Sequence, residues 1–231
     1  PICAFLGRHK LTSRQLARSH FHERSILLAH QFSKVGWDSV HMALRRVPRM
    51  FQIWACKQVM DIAPANGNRP WERDLCPLCP NCAQVPETCA HILFCQDKGR
   101  VDVLLKSIDL IASWLAEADT DPDLRDCIIE YARGRGGLSM SEICRNLDQR
   151  FLLMAQDQDE IGWRRFMEGM ICQRMRVIQE EYTVTDGSRV TPNQWAPGVV
   201  IKLLEATHSQ WLYRCIQIHD KVQGTLVTPQ K

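Results

Sequence analysis

Between residues 76 and 95 the chain places five cysteines and a histidine, reading Cys76-Pro-Leu-Cys79-Pro-Asn-Cys82-Ala-Gln-Val-Pro-Glu87-Thr-Cys89-Ala-His91-Ile-Leu-Phe-Cys95. No other stretch is so dense in soft ligands. A zinc ion takes four N/S ligands in a tetrahedron, and a two-residue gap lets two thiolates on one tight turn reach the same ion. Two such pairs are present, Cys76/Cys79 and Cys79/Cys82, and because they share Cys79 only one can serve. His91 and Cys95 lie four residues apart, on one face of a helical turn. The preferred ligand set is Cys79, Cys82, His91 and Cys95, a C-x2-C-x8-H-x3-C site with Cys76 as the alternate. The shorter loop has less closure entropy to lose, by about a few tenths of a kcal/mol.

Two other readings of the cluster are weaker. A disulfide framework belongs to secreted domains much shorter than 231 residues. The remaining cysteines, at 3, 56, 127, 144, 172 and 215, are scattered singly, as free core thiols are. A catalytic zinc needs an open coordination position and a general base beside it. Glu87 is the carboxylate near the histidine side, and no H-E-x-x-H or H-x-E…C-x-x-C pattern occurs. The expected metal is therefore a structural zinc.

The run Cys-Pro-Asn-Cys…Glu87-Thr88-Cys89-Ala90-His91-Ile92-Leu93-Phe94-Cys95 resembles the zinc-binding, post-catalytic C-terminal region of reverse-transcriptase open reading frames of non-LTR-type retroelements. Flanking words extend the resemblance: Val35-Gly36-Trp37-Asp38, Pro48 to Trp54, Ile161 to Gly169, and Gln210-Trp211-Leu212-Tyr213-Arg214. The resemblance covers most of the chain from about Ser25 onward. It implies an accessory region that helps a polymerase, lying upstream or in a partner chain, to hold template RNA or target DNA.

Charge is distributed unevenly. Ten of the 29 Lys/Arg fall within residues 1–60 against two of the 26 Asp/Glu, a balance of +8 that leaves −5 for the rest of a chain whose net charge is +3. Such asymmetry points to a polyanionic partner for the N-terminal part. The competing explanation is a basic helix packed on the acidic remainder of the same chain. Arg14, Arg18 and Arg24 are the expected phosphate contacts. Arg69, Trp71 and Arg73 alternate cation with aromatic, as single-strand binders do; equally, Trp71 could cover the metal site. Trp37 and Trp54 fall on apolar helical stripes and read as core.

No apolar run reaches membrane-spanning length and no secretion signal is visible, so with many single thiols the expected setting is intracellular, nuclear or cytoplasmic. A chain opening at Pro1 reads as a piece of a longer protein.

Hydrophobic periodicity gives a mainly α protein, a helical bundle carrying a small CCHC zinc-stapled loop, with few or no strands. Three parts are expected: a basic helical part over 1–62, the zinc turn over 63–97, and a C-terminal bundle over 98–231. Helices are expected from Thr12 or Ser13 through His30 to an end at Gly36, from Ser39 to Val47 behind Asp38, and from Arg49 to about Ile62. Val101 to Ala118 carries a long stripe, and Asp121-Pro122 opens the next helix. Further helices run from Ser139 or Ser141 through Met154, from Gly162 through Ile178, and from Val199 to Val222. Tyr182 to Val190 has strand character, and the residues to Lys231 read as a frayed tail.

The chain lacks G-x-x-x-x-G-K-[ST], G-x-S-x-G and Tyr-x-Asp-Asp. It is expected to be non-enzymatic, a zinc-binding accessory region that binds nucleic acid with low specificity. Its rivals are a zinc-stapled protein-interaction module without nucleic-acid binding and, less well supported, a zinc hydrolase or deaminase.

Overall fold

The computed structural model describes residues 13–24, 26–186 and 190–226, with side chains for 18–24, 26–185 and 190–219. Among the described residues there are twelve α-helices, one 3-10 turn and no strand. The helical-bundle expectation holds. Residues 227–231, expected to fray, and the side chain of Arg14 lie outside the described part.

The basic N-terminal part is four short helices: α1 (Ser13–Glu23), α2 (Ala29–Lys34), α3 (Trp37–Arg46) and α4 (Arg49–Val59). A single helix ending at Gly36 is expected, but helical geometry is interrupted between α1 and α2, where the adjacent Ile26 and Leu27 are both buried. Helix α3 starts two residues before the expected Ser39 and is N-capped by Gly36, whose N–H donates to the Ile171 carbonyl at 3.0 Å. Pro48 separates α3 from α4 as expected. Trp37 packs against Phe21 and Phe32 and donates to the Phe32 carbonyl, and Trp54 is buried beside Phe51 and His208. Both tryptophans are core residues.

The metal region contains α5 (Cys89–Phe94), and after it come α6 (Lys98–Glu117), α7 (Pro122–Gly134), α8 (Met140–Ile143), α9 (Gln149–Ile161), α10 (Trp163–Met167), α11 (Gln173–Asp186) and α12 (Pro192–Leu226). Local chemistry sets many of these boundaries. Asp97, Asp121, Ser139 and Asp148 each accept a backbone N–H as N-caps, and Pro122 occupies the first helical position of α7. The helix expected through Met154 is split into α8 and α9, because Asp148 caps its own helix and Asp159 of α9 caps α8 from outside through Met140 and Ser141 N–H. The helix expected through Ile178 is split into α10 and α11 at Gly169, whose φ of 83° suits a residue without a Cβ.

Two expectations are overturned. Residues 182–186 continue α11 as helix and do not form a strand. The Thr183 and Thr185 hydroxyls bond back to the Gln179 and Glu181 carbonyls at 2.7 and 3.1 Å, so the β-leaning residues are accommodated within the helix. Helix α12 begins at Pro192, seven residues before Val199, and runs through Pro197 and Gly198. Trp195, fully buried, donates to Thr120 Oγ1 at 2.8 Å, and a Cβ on Gly198 would come within 2.3 Å of the Trp114 ring. Tertiary packing thus accommodates Pro197 and Gly198 within the helix.

One apolar cluster runs from Ile26 to Ala206 and includes Leu104, Ile108, Ile111, Leu115, Phe151, Met154, Phe166 and Trp195. Helix α12 lies along α6 and α3, touches α10 and α11, and reaches α5. It is one of the elements that connect the bundle to the metal region. No helix among the described residues is long and apolar enough to cross a membrane.

Candidate metal centre

The first ligand pair sits on a tight backbone turn. Cys79 N–H donates to the Val85 carbonyl and Ala83 N–H to the Cys79 carbonyl, both at 2.9 Å, and Ala83 adopts a left-handed φ of 55° to close the turn. A bridge between Leu78 and Pro86 anchors its base. The second pair lies on α5. Thr88 caps that helix by accepting from His91 N–H at 3.0 Å, and Cys95, its C-cap, donates its N–H to the His91 carbonyl at 2.7 Å. His91 and Cys95 therefore sit one turn apart on one face, as their spacing requires.

The structure brings these four residues together. The ligand atoms of Cys79, Cys82, His91 and Cys95 all lie within 4.8 Å of one another. Cys79 Sγ and Cys95 Sγ are 3.8 Å apart, and Cys82 Sγ and His91 Nε2 are 3.4 Å apart. With Zn–S near 2.3 Å and Zn–N near 2.0–2.1 Å, a tetrahedron has S···S edges of about 3.8 Å and S···N edges of about 3.6 Å. The cluster thus has the size of a tetrahedral N/S metal site. Cys76 is exposed and outside the group. Cys89 is buried but points elsewhere, accepting from Asn68 Nδ2 at 3.3 Å, and burial pushes its thiol up to about 11.

Electrostatics around the cluster suit a cation. Burial pushes the Cys95 thiol up to about 12. Burial opposes ionisation of Cys82 too, but it is outweighed by backbone hydrogen bonds at Gln84 and Val85 and by the Cys79 and Cys95 thiols, leaving Cys82 below its ordinary value. Burial, with the Arg100 charge, lowers the His91 pKa and keeps the imidazole neutral, the form that ligates. Three thiols this close, two of them buried, ionise together only around a cation.

Around the ligands lies a set of buried charges that the sequence did not reveal. Arg100, 1% exposed, donates from Nε to Asn81 Oδ1 at 2.8 Å, inside the Cys79–Cys82 turn, and to the Ile92 carbonyl of α5 at 3.1 Å. Arg135, just past the end of α7, donates to the Leu93 and Cys95 carbonyls, supplying the last turn of α5 with donors. Glu87 is fully buried. It accepts from Asn66 N–H at 2.9 Å, from Arg214 Nε and Nη2 of α12 at 2.8–3.1 Å, and from Arg100 Nη2 at 3.4 Å. Gly67 fits against this carboxylate's backbone, where a Cβ would lie 2.7 Å from the Glu87 carbonyl oxygen. Glu87 therefore fastens the metal region to the last helix, and because its oxygens are occupied by guanidiniums it is no free general base.

Zn²⁺ bound by three thiolates and a neutral imidazole would carry one net negative charge, which Arg100 and Arg135 are placed to offset. All four positions of a tetrahedron are then filled by protein. Asp157 is paired with Lys34 and Arg174, while Asp159 caps α8, so neither forms a catalytic acid pair.

The expected nucleic-acid contacts are dispersed over the surface. Arg18 and Arg24 are exposed on and just after α1, and neither meets a carboxylate among the described residues. Arg69 is held by Glu72 at 3.0 Å. Trp71 is 70% exposed, so it does not cover the metal site, and Arg73 is exposed without an ion pair among the described residues. Comparison of the chain with protein-family models, curated proteins and solved structures returns no match.

Proposed function

We propose that the chain is a non-catalytic nucleic-acid-binding region built on a structural zinc site. Zn²⁺ is the metal that best suits three thiolates and an imidazole in a closed tetrahedron. Bound only by the folded, deprotonated site, the ion contributes its binding energy to folding of the 63–97 region. The partner is the phosphate backbone of RNA or DNA, bound with little sequence preference. This is the role implied by the resemblance to the post-catalytic region of retroelement reverse transcriptases, in which a polymerase upstream or in another chain does the chemistry in a reducing, intracellular setting.

One observation carries the reading. Among the described Lys/Arg side chains of residues 18–57, only Lys34 meets a carboxylate, pairing with Asp157 and Glu160. Arg18, Arg24, Arg45, Arg46, Arg49 and Lys57 are exposed without an acidic partner among the described residues. This counts against a basic segment neutralised by the acidic part of its own chain, and the positive field is left available to an external polyanion. Trp71, exposed beside Arg73, adds a stacking surface.

Filter binding of a single-stranded oligonucleotide across a salt series tests the proposal. The log K against log salt slope should be steep, roughly −0.7 per phosphate contacted. Trp71→Ala should weaken binding by about 1–3 kcal/mol, the worth of one stacked base. Binding that is weak, insensitive to salt and unchanged by Trp71→Ala would refute it and favour the interaction-module reading. That second reading has support of its own in Leu212 and Ile216, both about half exposed and one turn apart on α12.

A further inference from the structure

We infer that the corner between α3 and α4 is a distinct phosphate-contacting surface, and that it takes the backbone of a nucleic-acid duplex. The inference rests on the nucleic-acid reading above and assigns residues that sequence analysis did not. Arg45 and Arg46 end α3, Val47-Pro48 makes the corner, and Arg49 is the first residue of α4. All three are exposed, and none meets a carboxylate among the described residues.

Helix stability does not account for them. Arg45 and Arg46 lie at a helix C-terminus, where the dipole favours cations, but Arg49 lies at an N-terminus, where it disfavours them. Helix α4 has no acidic residue in its first turn to offset this. Exposure does not account for them either. Some exposed arginines elsewhere in the chain do find acids: Arg133 pairs with Asp109 at 2.8 Å and Arg174 with Asp157 at 2.8 Å. Three neighbouring like charges repel, and the corner keeps them without a counter-ion from the chain itself. Guanidinium forks match phosphate oxygens two at a time, which ammonium groups do not.

The rest of α4 narrows the partner. Its aromatic residues Phe51 and Trp54 are turned inward onto His208, with ring centroids 4.9 and 4.4 Å away. The corner therefore offers an unpaired base nothing to stack on, unlike the loop around Trp71. A duplex presents its phosphates outward with its bases already stacked, so cations without aromatics suffice. A lipid surface is less well matched. The opposite face of α4 is fixed in the fold through buried Trp54, Ala55 and Gln58, leaving Met50, Ile53 and Cys56 as the exposed apolar residues of the helix.

The test compares zinc-loaded wild type, Arg45→Gln/Arg46→Gln/Arg49→Gln and Trp71→Ala. Each is titrated against a blunt duplex, a single strand and anionic phosphatidylserine vesicles. The side chains changed are exposed, and zinc content and circular dichroism confirm that each variant is folded. For the triple variant the duplex salt slope should flatten by about 2.7, three contacts at roughly −0.9 each, with single-strand binding much less affected. Trp71→Ala should do the reverse. An unchanged duplex slope in the triple variant, while Trp71→Ala still weakens single-strand binding, would overturn the corner assignment and leave the broader function standing. If neither variant alters binding to either nucleic acid, the broader reading falls with it. Vesicle binding lost with duplex binding intact would overturn the duplex assignment in favour of a membrane surface.

Discussion

Replacing Glu87 by Gln removes one charge and almost no volume from the point where the metal region meets α12. In the native protein the carboxylate is completely buried and takes hydrogen bonds from Asn66, Arg100 and Arg214. The substitution leaves two guanidiniums, with side chains 1% and 7% exposed, facing a neutral amide. Removing one partner of a buried ion pair costs about 3–5 kcal/mol, chiefly because the remaining charge stays desolvated. In a protein of this size each kcal/mol shifts Tm by about 2–4 °C, so Glu87→Gln should lower Tm by roughly 6–20 °C. Zinc affinity should fall as well, by about 10–100-fold, because Arg100 also holds Asn81 and the Ile92 carbonyl around the ligands. Thermal denaturation of the zinc-loaded protein at neutral pH gives the first quantity, and competition with a chelator gives the second. Adding Arg214→Met should recover part of the loss, because one orphaned charge is then gone. A Tm within about 2 °C of wild type would refute the reasoning, since on this scale it amounts to no more than about 1 kcal/mol.

Three further outcomes are expected. The purified chain should hold one zinc, lost in Cys82→Ser, His91→Ala or Cys95→Ser and kept in Cys76→Ser, with metal content by atomic absorption as the readout; loss in Cys76→Ser would show that the wrong thiol pair had been assigned. Chelation should free the 63–97 segment while far-ultraviolet circular dichroism stays largely helical, because only Leu93 of that segment belongs to the main apolar cluster; collapse of the whole spectrum would contradict this. Burial lowers the His208 pKa, so the folded state favours the neutral ring; that stability is present above about pH 6.5 and is lost as pH falls through the depressed folded value. His208→Phe should accordingly flatten the fall in denaturant stability from pH 7 to pH 5, and an unaltered pH slope would show that the ring does not contribute.

The four ligands could be identified from sequence because each pair is local. Two residues of turn or one turn of helix fix which side chains meet, whatever the rest of the chain does. The same holds for the caps at Asp121 and Ser139, and for the stripe Leu104, Ile108, Ile111 and Leu115, where spacing alone defines the buried face. Choosing Cys82 over Cys76 was only marginally favoured by loop entropy, and it is the folded turn that leaves Cys76 in solvent. Where local preference met long-range packing, packing prevailed: Trp114 and Thr120 carry α12 through Pro197-Gly198, and residues 182–186 stay helical on α11. Glu87 could not be recognised from sequence as the link to α12. Its main partner, Arg214, lies 127 residues away, and no periodicity records a contact at that distance. The uneven charge was visible in the sequence, but whether those arginines were neutralised within the fold was not. A sequence gives the number and order of charges; only the tertiary structure decides which of them lie close enough to cancel, and at the α3–α4 corner it leaves three without an acidic partner among the described residues.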